Sequence, residues 1–210
     1  MFDFAPLAPF ANVGPILTHG LVAGTKVVTR DGRRAVDGLI PGDECLTFDG
    51  GFQQVVHVGR DILDPDAIQA DPANWPLMVP AGALGNRIDT VLLPDQAVLV
   101  ESDTAEAVLG DPFALVPALA LDGLRGIRRA RPRTALKVIT LHFAGEEVVY
   151  ADAGALLHCP ARGDLLAQTA APVYAPLTLE KAELLVRHID LEDRGRADPA
   201  QALRDFRTAA

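Results

Sequence analysis

The residues best suited to covalent chemistry fall in two short clusters, Thr18-His19 just ahead of Gly20, and His158-Cys159. A hydroxyl or thiol beside an imidazole can attack a carbonyl carbon while the imidazole carries the proton, which is the chemistry of acyl transfer. Neither cluster brings a third group at a telling spacing, and a lone Cys or His without a placed partner is more often structural than catalytic. His57 and His142 stand in strand-like stretches and have the same status. His19 could meet His57 or His142 as a metal site, but no ligand spacing supports one, so neither metal nor cofactor is expected. Asp and Glu are plentiful, yet nothing pairs two of them as acid and base. A Gly-rich phosphate loop with Lys, G-x-S-x-G and H-E-x-x-H are all absent from the sequence.

The elements that must position these groups are clearest between Gly20 and Arg60. Val27-Val28-Thr29 stops at Asp31-Gly32, a dipeptide that supplies the positive φ of a tight hairpin. Ala35 to Ile40 is apolar on most positions and ends at Pro41-Gly42-Asp43, where Pro fixes φ and Gly absorbs the reversal. Cys45-Leu46-Thr47-Phe48 runs to Asp49-Gly50-Gly51, and Val55 to Val58 closes at Gly59. Strands this short at this spacing predict a mostly β, compact unit with hairpin connections. In such a run Cys45 reads as a small buried hydrophobe.

Taken together, Gly24-Thr25, Asp31-Gly32, Pro41-Gly42-Asp43, Asp49-Gly50-Gly51 and Val58-Gly59-Arg60 resemble the opening of a bacterial Hint domain. That is the fold shared by hedgehog autoprocessing domains and inteins. Ala81-Gly82-Ala83-Leu84-Gly85 and Gly126-Ile127-Arg128-Arg129 extend the resemblance, which spans roughly Gly20 to Cys159. It implies a Hint-like β fold and points to the positions where autoprocessing chemistry would stand. The nucleophile's place, a cysteine four residues before Gly-Thr, is Gly20. The family's Ser-Pro-Gln-His turn reads Leu93-Pro94-Asp95-Gln96, so the hydroxyl place is Leu93 and the histidine place is Gln96. On the late hairpin the histidine places read Thr140 and Glu146, with His142 expected on an opposite-facing neighbouring position. His158-Cys159 resembles an intein terminus, but no Asn precedes Cys159 and Pro160 follows it. Gly20 cannot attack a carbonyl, and Gln96 can donate a hydrogen bond but cannot shuttle a proton near neutrality. The resemblance therefore implies a Hint-like domain without its catalytic residues, acting as a structural or protein-interaction module. A self-cleaving domain using Thr18, His142 or Cys159 is the alternative.

Elsewhere, Pro65-Asp66 opens a short helix capped by Asp64, Leu77 to Pro80 is a strand, and two strands, Thr90–Leu93 and Ala97–Val100, hinge at Pro94-Asp95. Thr104 to Leu109 is expected as exposed loop or a helical turn, and Pro117 limits any helix over Phe113 to Leu121. Leu136–Phe143 and Glu147–Tyr150 are expected to pair as a hairpin through Ala144-Gly145. From Leu179 to Leu191, Ala182, Leu185, Val186 and Ile189 share a helical face, and Asp198-Pro199 starts a second helix with Leu203 and Phe206 on one side. These helices are expected as docking elements or as an interface.

The 210 residues are 49% hydrophobic and 5% aromatic, so a packed core built from Val, Leu and Ala is expected. A net charge of −9 argues against nucleic acid and anionic membranes as general partners. Arg125, Arg128, Arg129, Arg131 and Arg133 have no aromatic residues among them and read as a solvated basic loop. Two cysteines exclude a disulfide framework. There is no apolar run of membrane-spanning length. Residues 1–19 lack a basic start and are broken by Pro6, Pro9 and Pro15, so an extended arm is expected in place of a signal peptide, compatible with the cytoplasm or an exported assembly. The predicted organisation is an arm over 1–19, a Hint-like β domain over 20–160 and a linker with two helices over 161–210. Its partner is expected to be a protein, or a second copy, bound through the arm and helices.

Overall fold

The computed structural model describes residues 17–68, 71–152, 154–161 and 174–209. Most of the expected arm and most of the expected linker lie outside these residues. The strands are β1 (Leu21–Val22), β2 (Lys26–Thr29), β3 (Gly32–Ala35), β4 (Glu44–Thr47), β5 (Gly51–Gln54), β6 (His57–Leu63) and β7 (Leu77–Val79). They continue with β8 (Thr90–Leu92), β9 (Ala97–Glu101), β10 (Phe113–Pro117), β11 (Arg128–Arg129), β12 (Leu136–His142), β13 (Glu147–Ala151) and β14 (Ala155–Cys159). Three α-helices are described, α1 (Asp103–Leu109), α2 (Leu179–Asp193) and α3 (Pro199–Thr208).

Six strands form one sheet in the order β11-β7-β8-β1-β12-β6. Eight form the other, β10-β9-β14-β13-β2-β4-β5 with β3 beside β2. The short hairpins follow from turn chemistry, with Thr29 opposite Gly32 across Arg30-Asp31 and Thr47 opposite Gly51 across Phe48-Asp49-Gly50, the positive φ falling on Gly32 and Gly51 themselves. Val27, Cys45, Leu141, Val149 and Leu157 alternate inward from different strands into one shared core.

Three expectations change. Val55 to Val58 is not one strand: the Val55 N–H donates to Asp43 O while the Val56 N–H donates to His142 O, each at 2.8 Å. The chain thus leaves the eight-stranded sheet after β5 and enters the six-stranded one at β6. The late hairpin is absent as well, since β12 pairs β1 and β6 whereas β13 pairs β14, β2 and β4. Ala144-Gly145 is therefore a crossing between sheets; local turn signals cannot distinguish it from a hairpin, because the choice depends on which partner strand each run buries against. Residues 104–109, expected as an exposed loop or a helical turn, take the helical alternative in α1, but Thr104 and Ala105 are buried, not exposed.

The last two helices cover their apolar faces within the chain. Ala182, Leu185, Val186 and Ile189, the face marked by sequence periodicity, join the main core with Phe206 of α3. Burying a Leu or Ile in this way contributes about 1.5–3 kcal/mol per side chain. Polar contacts set the angle of approach. Arg125 makes a bidentate pair with Asp193 at 2.6 and 2.7 Å, and donates to Ala83 O. Glu192 accepts from the Ser102 and Thr104 hydroxyls and from the Asp103 and Thr104 N–H groups. A carboxylate at the positive end of α1 thus tethers α2. His188 and Asp205, 3.0 Å apart, link α2 to α3.

Candidate functional site

Several of the positions singled out for chemistry, His19, Gly20, Gln96, Thr140, His158 and Cys159, line one cavity of about 240 Å³, whereas Thr18, Leu93 and His142 do not. Gly20 enters β1 from a bend, and its φ of +113° is a conformation open to glycine and strained for any other residue. A Cβ there would lie 2.7 Å from Val138 Cγ1 and 3.3 Å from Ile139 O. A side chain at this position would thus clash with Val138 and crowd the main chain of β12.

Gln96 is nearly fully buried, just before β9. Its side-chain carbonyl accepts from the Gly20 N–H at 3.2 Å, and its amide donates to Ala97 O and His158 O, both at 2.9 Å. One neutral side chain therefore joins the start of β1 to β9 and to β14, satisfying groups that would be costly to leave unpaired. The turn before it is equally committed: the Asp95 N–H donates to Thr18 O, and Leu93 is wholly buried with Val22, Leu63, Ile68 and Val138. Thr18 contributes its carbonyl, and its hydroxyl is not among the groups lining the cavity.

His158 faces Glu146, Nε2 to Oε2 3.2 Å. Burial pushes the imidazole pKa down, and the Glu146 hydrogen bond and charge oppose it without reversing it. Cys159, also at the cavity, is fully buried; desolvation raises its thiol pKa strongly, with Cys45 and Glu147 adding to the shift. Burial likewise drives Cys45 up to about 11. Both sulfurs are held as thiols near neutral pH, and the thiolate is the nucleophilic form.

His142 lies elsewhere. It sits directly across from His57 in the β12–β6 pairing, with ring centroids 5.6 Å apart. The expectation that it faces away from Thr140 fails because strand residues two apart share a face; distance along β12 removes it from the cavity. Among the described residues no group of three or more His, Cys, Asp or Glu could hold a metal ion. No described helix is long and apolar enough to cross a membrane. The Glu146–His158 pair and the contribution of Pro176 to the cavity were not legible in the sequence, since both depend on strand register and on where residues 174–178 return.

Two sheets crossed by a chain that repeatedly changes partner, with a buried turn closing over the first strand, define an intein-like β fold. The chain belongs to the Hint domain family, whose model matches residues 19–157. Among solved structures, the solution structure of a bacterial intein-like domain from Clostridium thermocellum aligns with a TM-score of 0.49 at 15% identity, covering 68% of this chain and 99% of that one. A splice-inactive variant of the AceL NrdHF class 3 split intein aligns at 0.46 and 14%, covering 69% and 99%. The gp41-1 intein aligns at 0.41 and 13%, covering 65% and 96%. No curated protein matches.

Proposed function

We propose that this chain is a Hint domain that no longer cleaves itself and serves as a structural or protein-interaction module. The observation that carries the reading is the packing at Gly20. Its N–H is held by Gln96 and the space where a side chain would project is filled by Val138. The backbone at Gly20 is thus shaped for glycine, and a nucleophile's side chain there would need Val138 to move. The remaining candidates are poorly placed to substitute. Cys159 is a buried thiol with a strongly raised pKa, His142 stands across from His57, and Thr18 is absent from the cavity lining. Any partner contact through α2 and α3 would use their outer polar faces, because the apolar ones are in the core.

Intact-mass spectrometry of the purified chain tests the reading, after prolonged incubation alone, with excess thiol, and with hydroxylamine. A single full-length species under all three conditions is expected. Fragments that break beside Thr18, Gly20 or Cys159 would overturn it and revive cleavage by an atypical nucleophile.

A further inference from the structure

The chain has few aromatic residues, yet both of its tyrosines and two of its phenylalanines gather on one face of the eight-stranded sheet. Phe48 and Phe113 meet edge to face at 4.9 Å, and Tyr150 lies 6.5 Å from Phe48. Tyr174 joins Phe48 and Phe113 around an open cavity of about 490 Å³, distinct from the one at Gly20. All four rings are half-buried, which leaves part of each ring accessible. Asp49 and Asp111 are exposed at the rim, and no lysine or arginine contributes to the described lining. Aromatic surface edged by carboxylates suits a guanidinium group, which stacks on a ring while its N–H groups reach the acids.

The same chain carries a matching segment. Arg128, Arg131 and Arg133 are exposed beside Pro132, at the β11 edge of the six-stranded sheet. Arg129 is paired with Asp122, but no ion pair among the described residues includes the other three. Pro132 fixes its own φ and holds Arg131 toward an extended conformation, which lowers the cost of ordering that part of the segment on binding.

We propose that the aromatic shelf receives the Arg128–Arg133 loop of a second copy of this chain. Donor segment and acceptor shelf are different surfaces on different sheets, and we place them in a heterologous contact that leaves each copy a free segment or shelf for the next. This extends the proposed interaction role and depends on it, while remaining independent of whether the chain cleaves itself.

Sedimentation velocity on the full chain tests it. Average mass rises with concentration at low salt and falls as salt screens the rim charges. The loop variant Arg131→Glu/Arg133→Glu and the rim variant Asp49→Asn/Asp111→Asn each weaken self-association by about tenfold or more. Both change exposed side chains, and Asn keeps the acceptor oxygens that Tyr174 and the Phe113 N–H use. Mixing the two variants restores one contact only, from the intact loop of one to the intact shelf of the other, and gives a closed 1:1 dimer. A chain monomeric at every concentration and salt, association indifferent to both variants, or no dimer on mixing would each overturn the proposal. So would tight binding of a synthetic peptide of residues 126–135 by a chain that stays monomeric, which would assign the shelf to another protein's arginine-rich segment. Intact mass of the same samples reports cleavage separately.

Discussion

The main-chain N–H of Gly20 donates to the side-chain oxygen of Gln96, 76 residues away, at 3.2 Å. The start of the segment matched by the Hint family is thereby tied to Gln96, the position to which the sequence resemblance assigns the family's histidine. A neutral amide holds three partners at once, one through its oxygen and two through its nitrogen. An imidazole in its place has only two ring nitrogens to offer.

Gly20→Ala is expected to destabilise the fold by about 1–3 kcal/mol, because a left-handed backbone is strained for an L residue and the new methyl meets Val138. Urea denaturation should show a lower midpoint with an unchanged slope. Gly20→Cys meets the same obstacle, and its full-length mass is expected to persist.

Gln96→Met preserves approximate volume and removes every polar contact. The Gly20 N–H and the His158 carbonyl lose their side-chain partner, at about 1–3 kcal/mol for each group left unsatisfied. Hydrogen exchange read by NMR should accelerate at the Gly20 amide well beyond the change in neighbouring β1 amides.

His158 is expected to titrate below the ordinary histidine value, because burial disfavours its charged form more than Glu146 favours it. A depressed folded-state pKa means stability that is present above the unfolded value, about 6.5, and lost as pH falls through the folded one. Glu146→Gln removes the opposing charge and should move the titration lower still, which NMR of the imidazole protons would follow.

Glu192→Ala should cost about 1–2 kcal/mol, comparable with losing a helix cap, since it strips the start of α1 and loosens α2. Burial raises the Glu192 pKa, but the hydrogen bonds from Ser102, Thr104 and Asp103 outweigh it, leaving the value lowered. Its stabilisation is therefore present above the ordinary carboxylate range and lost as pH falls through the folded value. The variant's thermal midpoint should converge on that of the unmodified chain in acid.

Much of the strand inventory was legible because it is written in local chemistry. Asp31-Gly32 and Asp49-Gly50-Gly51 favour a reversal through glycine's access to positive φ, and the spacing of Ala182, Leu185, Val186 and Ile189 places them on one face of a helix. The absence of a side chain at Gly20 and of a titrating group at Gln96 was likewise evident from residue type. Tertiary structure alone decided the rest. Ala144-Gly145 reads as a hairpin but joins two sheets, because pairing is chosen by the burial of distant strands. Sequence could say that Gly20 offers no side chain, but only packing reveals Val138 where a Cβ would stand, for the contact joins residues 118 positions apart. Residue type sets what a position cannot do; the partners it meets set what it does instead.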